Sequence, residues 1–212
     1  MSFRKDIQNY VQTPLTHQIV SDVLANYNRP NDKISDLVRS GLLISLRRGL
    51  YVPGPELDLP LPHSFLIANH LRGPSYISLE TALSHWEMIP ERVYEINSIT
   101  LKTSQVYDTP IGRFTYRHLN FPYYSFGLKH VEVGTDQFVL MASPEKAICD
   151  KIITTAGITL RSQSQTLAFL IEDMRIEETI LADLDIQTIN SWIKNAPKAS
   201  SLQMLVKTIQ TL

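Results

Sequence analysis

Two adjacent arginines, Arg47 and Arg48, stand at the corner between two short apolar runs. The runs cover residues 42–46 and 50–52, and Gly49 between them is typical of a tight turn, so the sequence predicts a β-hairpin. Guanidinium groups at the tip of a hairpin can reach the phosphates of a DNA backbone or an adjacent minor groove. The first candidate chemistry in this chain is therefore phosphate binding by the two arginines.

A helix predicted over residues 31–40 precedes the hairpin, with Asn31 as its cap and apolar positions at helical spacing. Its outward side chains are Asn31, Asp32, Lys33, Ser35, Asp36, Arg39 and Ser40. Lys33 and Arg39 could contact phosphate or guanine, and Ser35 could contact either kind of group. The two aspartates oppose this interpretation, because away from a cytosine amino group they repel the DNA backbone.

An earlier helix, predicted from Thr16 to Asn26, would brace the second helix across the turn that contains Arg29. Backbone N–H groups in its first turn could bind a phosphate. A recognition helix enters the major groove only when a partner helix braces it, so helix, turn, helix and hairpin together predict a winged helix-turn-helix. The predicted DNA-binding residues are Thr16, His17, Gln18, Arg29, Asn31, Lys33, Ser35, Arg39, Arg47 and Arg48.

The distribution of charge and proline divides the chain. Residues 1–55 carry seven basic and four acidic side chains, while the remainder carries thirteen basic and seventeen acidic ones. A modestly basic N-terminal region followed by an acidic remainder fits a DNA-contacting domain attached to a second domain. The prolines that follow residue 55 are typical of a semi-rigid linker. We predict a winged helix-turn-helix DNA-binding domain over residues 1–55, a proline-rich linker over 56–62 and an effector domain over 63–212.

The sequence after the linker indicates a mixed α+β domain with a helical C-terminus. The fold class predicted for the chain is therefore α+β. Helices are expected over residues 64–71, 79–87, 143–155, 163–174, 185–195 and 199–211. Short strands are expected over residues 94–96, 98–101, 114–117, 130–133 and 137–141, the first of them beginning at Tyr94. Ser143 is a good N-cap, with Pro144 at the first helical position and Glu145 in the first turn.

The remaining polar residues offer little chemistry. Cys149 is the single cysteine, which excludes an intrachain disulfide, and its apolar surroundings predict a buried, inert thiol. The six histidines are never spaced as in a metal site, and the sequence has no glycine-rich phosphate loop. Glu145 and Asp150 do not share a helix face, and we assign Asp150 to solvent or to an ion pair. We therefore predict no catalytic residue, no metal, no cofactor and no enzymatic activity.

The chain also lacks the marks of a membrane or exported protein. No run approaches the roughly 20 apolar residues that span a bilayer. Polar residues interrupt the first dozen positions, where a signal peptide would have an apolar stretch. The sequence predicts a soluble, cytoplasmic protein without a membrane partner.

An aromatic cluster over residues 121–126 leaves two interpretations open. Arg117 and His118 precede it and Lys129 follows it, so its rings could stack on unpaired bases. Packing in the core of a mixed sheet explains the same aromatic residues, and we favour it. If the rings are exposed, the cluster becomes a second candidate surface for RNA or a toxin.

Four segments resemble the AbiEi-type antitoxins and transcriptional regulators. Residues 35–43 and 47–53 are similar to the winged N-terminal region of that family. Residues 75–83 resemble its strand-then-helix stretch with tyrosine, serine and alanine-leucine, and residues 142–151 its alanine-serine-proline-glutamate helix start. These segments occur in the same order and cover about the first 155 residues. The acidic C-terminal body and the two acids on the recognition helix depart from the family pattern.

The resemblance implies a role for the predicted site. Such an antitoxin represses its own promoter by binding operator repeats in double-stranded DNA near its gene, and it neutralises a nucleotidyltransferase-like toxin in phage defence. Positions carried over are Arg47, Arg48 and the outward face of residues 31–40, and a dimer on DNA is compatible with repeated operator sites. Two alternatives stay open, namely a protein-interaction module formed by the winged domain and an uncharacterised enzyme within residues 63–160.

Overall fold

The computed structural model describes residues 3–212 and has an α+β fold. The first two positions of the predicted 1–55 domain lie outside the described residues. The helices are α1 (Phe3–Ile7), α2 (His17–Val23), α3 (Pro30–Arg39), α4 (Ser64–Leu71), α5 (Leu79–His85), α6 (Pro144–Thr154), α7 (Gln163–Leu167), α8 (Glu178–Ala182), α9 (Ile186–Ile193) and α10 (Ala199–Ile209). The strands are β1 (Leu15–Thr16), β2 (Leu43–Arg47), β3 (Leu50–Pro53), β4 (Ser75–Ile77), β5 (Ile96–Thr100), β6 (Gln105–Thr109), β7 (Gly112–His118), β8 (Leu128–Gly134) and β9 (Gln137–Ala142).

The N-terminal helices pack against a small antiparallel sheet. Its strand order is β1-β3-β2, so the hairpin formed by β2 and β3 gains a third strand from the segment before α2. The apolar positions that recur along α2 and α3 bury Val20, Ile34 and Leu37 in a small core with Ile7 and Leu15. This core fixes which faces of α2 and α3 point to solvent.

The remainder of the chain is built on a mixed six-stranded sheet of order β6-β7-β5-β4-β9-β8. The β4–β9 and β5–β7 pairs are parallel, and the other neighbours are antiparallel. Tyr116 of β7 donates a hydrogen bond to the carbonyl of Ala68 in α4, whereas Tyr76 of β4 donates one to Asp150 in α6. The sheet therefore lies between α4 on one side and α6 on the other.

Capping residues explain two helix starts that the sequence predicted correctly. The Thr16 hydroxyl accepts a hydrogen bond from the Ile19 N–H at 3.3 Å, and Ser143 does the same for Lys146 N–H. The predicted cap at Asn31 is wrong. The cap is Arg29, two residues before the predicted one, and the helix begins with Pro30, whose fixed φ and missing N–H suit the first helical position.

Other local differences come from tertiary contacts. Tyr94 and the residue after it stand outside any strand, and β5 begins at Ile96 instead. Strand β6 and helix α8 were not predicted, because polar residues interrupt the first and the second is a short helix of five residues. Pairing with β7 along its whole length gives β6 the support that its own sequence does not supply.

The hairpin belongs to both cores of the molecule. Tyr51 packs with the small N-terminal core, while Leu46, Leu50 and Val52 are buried in the large core of the six-stranded region. Gly54 then passes so close to the backbone at Gly41 that a Cβ atom would lie 2.0 Å from that carbonyl oxygen. Only glycine fits this contact, which returns the chain after β3 to the end of α3.

Helices α9 and α10 pack against α6, and α7 packs against α10. Trp192 of α9 stacks on Phe126 with ring centroids 6.5 Å apart, next to the start of β8. Lys198, just before α10, donates hydrogen bonds to the carbonyls of Ile152, Thr155 and Ile158 at 2.8–2.9 Å, around the end of α6. Within residues 3–212, no helix has the length and apolar character needed to cross a membrane.

Candidate nucleic-acid interface

The ten residues predicted to bind DNA lie on the solvent side of α2, α3 and the hairpin turn. Nine are exposed and Lys33 is half-buried. The start of α2 is joined to the hairpin turn, where the His17 N–H donates to the carbonyl of Gly49 at 2.9 Å. That bond and the Thr16 cap use two polar groups at the start of α2. The predicted phosphate site on its backbone N–H groups consequently has fewer donors than the sequence suggested.

Both aspartates of α3 are paired with arginines on the helix or at its N-cap. Arg39 Nη1 lies 3.0 Å from Asp36, and Arg29 Nη1 lies 3.7 Å from Asp32. All four side chains are more than half exposed, so water screens these pairs and each contributes at most about 1 kcal/mol to stability. The aspartates that opposed DNA binding in the sequence therefore hold two of the predicted cations on the surface of the helix.

Two other polar side chains on α3 have local partners. The Lys33 ammonium lies 5.5 Å from the centroid of the Tyr27 ring, a cation–π contact across the turn between α2 and α3. The Ser35 hydroxyl donates to the Asn31 carbonyl at 3.1 Å, which leaves its oxygen lone pairs free to accept.

The structure gives the two hairpin arginines different surroundings. Arg47 Nε donates to the Leu71 carbonyl at the end of α4 at 2.8 Å, and its Nη1 donates to the Arg48 carbonyl at 3.2 Å. Arg47 thus joins the hairpin to the six-stranded region. The side chain of Arg48 has no hydrogen bond or ion pair with any residue in the described range 3–212, and it is exposed. The sequence could not separate the two, because Leu71 lies 24 residues from Arg47.

A second polar cluster lies in the interior, on α6. Asp150 accepts hydrogen bonds from the hydroxyls of Tyr76 at 2.9 Å and Ser78 at 2.7 Å, and Lys146 Nζ stands 3.2 Å from its other oxygen. Lys146 also donates to the Tyr123 carbonyl at 2.8 Å and lies 3.2 Å from the centroid of that ring. The assignment of Asp150 to solvent was wrong and the assignment to an ion pair was right.

Burial dominates the protonation of this cluster. It raises the pKa of Asp150, because the Lys146 charge and the hydroxyl donors only partly replace the lost water. Burial also lowers the pKa of Lys146, although the negative charge of Asp150 acts to raise it. Both side chains are fully buried. Since no solvent reaches them, this cluster joins α6 to the sheet and offers no surface for a ligand.

The aromatic segment over residues 121–126 is mainly a packing element. Tyr123 and Tyr124 are buried in the large core, and Phe126 packs on Trp192. Phe121 is the exception, with 63% of its surface exposed and an edge contact to Tyr124. The preferred interpretation, core packing, is confirmed for three of the four rings.

The other candidate chemistry is limited. Cys149 is fully buried, as predicted, and burial raises the pKa of its thiol far above the ordinary value. Among the described residues, no three His, Cys, Asp or Glu side chains are grouped closely enough to hold a metal ion.

No protein-family model matches the sequence, and no curated protein is significantly similar to it. The physical character of the surface on α3 and the hairpin therefore carries the functional interpretation.

Proposed function

We propose that this protein is a sequence-specific DNA-binding transcriptional regulator whose N-terminal region is a winged helix-turn-helix. One observation carries the proposal, namely the exposed face of α3 standing beside a hairpin whose tip presents Arg48 without a protein partner. The ten residues of α3 make a rod of about 15 Å, which is short enough to lie in a major groove. Helix α2 braces it from behind through the small core.

The ion pairs on α3 suit this function better than their net charge suggests. An exposed pair worth at most about 1 kcal/mol can exchange a carboxylate for a phosphate with little loss of stability. Arg39 and Arg29 are therefore available to DNA, at the cost of moving away from Asp36 and Asp32. Arg48 needs no such exchange, so we assign it the strongest backbone contact of the site.

The resemblance to the AbiEi-type antitoxins supplies the biological role within the same proposal. In that role the protein represses its own promoter by binding operator repeats, with two copies on repeated sites. The region built on the six-stranded sheet would then act on a nucleotidyltransferase-like toxin. These functions rest on the resemblance of four sequence segments and extend beyond the geometry of α3 and the hairpin.

A titration of duplex DNA from the region upstream of the gene tests the proposal. Fluorescence anisotropy is measured across a salt series with the wild type, Arg48→Ala and Lys194→Ala, an exposed lysine at the end of α9. The slope of log K against log salt is negative, and loss of one phosphate contact should reduce its magnitude by about 0.9 in Arg48→Ala. The slope of Lys194→Ala should equal that of the wild type. A wild type that does not bind this DNA at low salt would contradict the proposal.

A protein-interaction module is the second candidate, and a groove between α1 and α2 favours it. The groove has a volume of ≈ 590 Å³ and is flanked by Tyr10 and Tyr27, which are 44% and 46% exposed. Exposed aromatic residues are enriched where proteins meet. Tyr10→Ala would weaken binding of a partner protein and leave the salt dependence of DNA binding unchanged, which separates the two functions.

A further inference from the structure

A small cavity opens in the region built on the six-stranded sheet, and it is formed by segments other than α3 and the hairpin. Its volume is ≈ 220 Å³, below the roughly 300 Å³ at which pockets for drug-sized ligands begin. The cavity lies where α5, α6, the segment before β5 and the end of a π-helical turn (Ala168–Asp173) meet. A space of this size suits a single small molecule.

One part of the cavity lining is apolar. Met174 is only 8% exposed, and Ile89 and Val93 are half-buried. Met174 belongs to the large core and Ile89 packs against it, so the positions of these side chains are fixed by packing. An aliphatic group placed on this surface would remove it from water, which is favourable.

The rest of the lining carries both signs of charge, and Lys151 of α6 supplies the positive one. Its ammonium is bonded to Glu80 of α5, and its side chain is only 23% exposed. An ammonium group has three donors, and Glu80 is the one side-chain partner of Lys151 within residues 3–212. Two donors therefore remain for a carboxylate of the ligand.

Asp173 supplies a negative charge that is not already used. It ends the π-helical turn, it is exposed, and its side chain has no ion pair or hydrogen bond in the part of the chain that the structure describes. Glu91, on the same cavity, is instead paired with Arg175 at 3.2 Å. A carboxylate without a partner beside a half-closed space is suited to an ammonium group of the ligand.

The backbone on two sides of the cavity adopts a conformation that is rare for large side chains. Leu79, just before Glu80, has φ 54°, and Arg175, just after Met174, has φ 56°. Such left-handed residues persist only where the surrounding structure fixes them, and they cluster at functional sites. The π-helical turns of proteins are also frequent at functional sites. Both features favour a ligand site over a gap left by helix packing.

We propose that this cavity binds a free α-amino acid with an aliphatic side chain, such as leucine. Its carboxylate accepts hydrogen bonds from Lys151, and its ammonium donates to Asp173. Its alkyl group packs on Met174, Ile89 and Val93. An α-amino acid bears both charges on one carbon atom, which suits a small cavity that holds two ionic groups beside an apolar wall. The inference is independent of the proposed function and gives the region built on the six-stranded sheet a ligand of its own.

The test is a titration with L-leucine, followed through the amide chemical shifts of the full chain by NMR. Asp173→Asn is the main variant, because Asp173 is exposed and unpaired among the described residues and its replacement should leave thermal unfolding unchanged. Asp183→Asn, which changes an exposed acid after α8, is the matched control. Leucine should give saturable shifts around the cavity in the wild type. Loss of one charged hydrogen bond should raise the Kd about tenfold in Asp173→Asn and not in Asp183→Asn.

Three analogues of leucine test the three contacts separately. Isocaproate lacks the ammonium group, isopentylamine lacks the carboxylate, and glycine lacks the alkyl group. Each should bind at least about tenfold more weakly than leucine, because each leaves one part of the lining without its partner. Asp173→Asn should not weaken the binding of isocaproate further, since this analogue has no group for Asp173 to accept from.

Four outcomes would overturn the inference. The first is a wild type without saturable shifts in leucine. The second is equal affinity for isopentylamine and leucine, because the cavity would then take cations without help from Lys151. The third is equal affinity for glycine and leucine, which would exclude the apolar wall. The fourth is the same Kd for leucine in the wild type and in Asp173→Asn, which would place leucine elsewhere. A failure to bind DNA would overturn the proposed function and leave this inference standing.

Discussion

Helices α3 and α6 each place a carboxylate and a cation one turn apart, yet the two pairs have different consequences. Arg39 and Asp36 of α3 have side chains 78% and 57% exposed, whereas Lys146 and Asp150 of α6 are both 0% exposed. Water weakens the first pair and lets each partner exchange for another. The second has only protein around it, so its partners are fixed by the fold.

The difference teaches that exposure, and not the residue types, decides what a charged pair does here. An exposed pair contributes at most about 1 kcal/mol and can be broken by a ligand. Removing one partner of a buried pair leaves a charge without compensation and costs about 3–5 kcal/mol. We expect changes on α3 to alter binding with little effect on stability, and changes on α6 to do the reverse.

The largest expected effect is from Asp150→Ala. It leaves the Lys146 ammonium buried without its carboxylate, and it removes the acceptor for Tyr76 and Ser78. The free energy of unfolding in urea should fall by about 3–5 kcal/mol. The double variant Lys146→Met with Asp150→Leu provides the control, because it removes both charges and should recover much of that loss. A single variant as stable as the wild type would contradict the distinction between the helices.

A smaller effect is expected at His63, which is half-buried and forms the N-cap of α4. Its Nδ1 accepts a hydrogen bond from the Phe65 N–H at 3.2 Å, which only the unprotonated ring nitrogen can do. Burial, and to a lesser degree the charge of His85, lower the pKa of His63. With its pKa below the ordinary value of about 6.5, its contribution to stability is complete above that pH and is lost as the pH falls through the folded-state pKa.

The measurement compares the wild type with His63→Asn between about pH 7.5 and about pH 5, on either side of the ordinary histidine pKa. Asparagine retains a capping oxygen and does not titrate. Acidification should destabilise the wild type by about 1 kcal/mol more than the variant, the typical value of one helix cap. Equal loss of stability in both proteins would show that the cap at His63 is not the titrating element.

The smallest effect on stability is expected from Asp36→Ala, which removes the partner of Arg39 on α3. The free energy of unfolding should change by less than about 1 kcal/mol, because the pair is exposed. Under the proposed function, affinity for duplex DNA should rise, since Arg39 becomes free and a negative charge leaves the interface. Asp183→Ala, which removes an exposed acid after α8, is the control and should leave DNA binding unchanged.

The sequence predicts the local structure well where one short segment determines it. The caps at Thr16 and Ser143 depend on hydrogen bonds within three residues, and the burial of Cys149 follows from an apolar helical pattern. Strand β6 could not be predicted in the same way, because polar residues interrupt its sequence and its support comes from pairing with β7.

The same distinction between local and long-range determinants applies to the candidate site. The exposed faces of α3 and the hairpin follow from periodicity, which places nine of the ten predicted residues at the surface. The engagement of Arg47 by Leu71 depends on a contact between segments that are distant in the chain. Local patterns carry no information on such contacts, so Arg47 and Arg48 looked alike in the sequence.

The division of the hairpin between two cores limits how the chain can be dissected. Leu46, Leu50 and Val52 lie among the first 55 residues but are buried against the six-stranded region. A fragment that ended at residue 55 would expose all three to water, each with a cost of about 1.5–3 kcal/mol, and would be prone to aggregate. The remaining fragment would lose the same side chains from its interior. Domain-exchange experiments with this protein should therefore keep the hairpin and its supporting sheet in one piece.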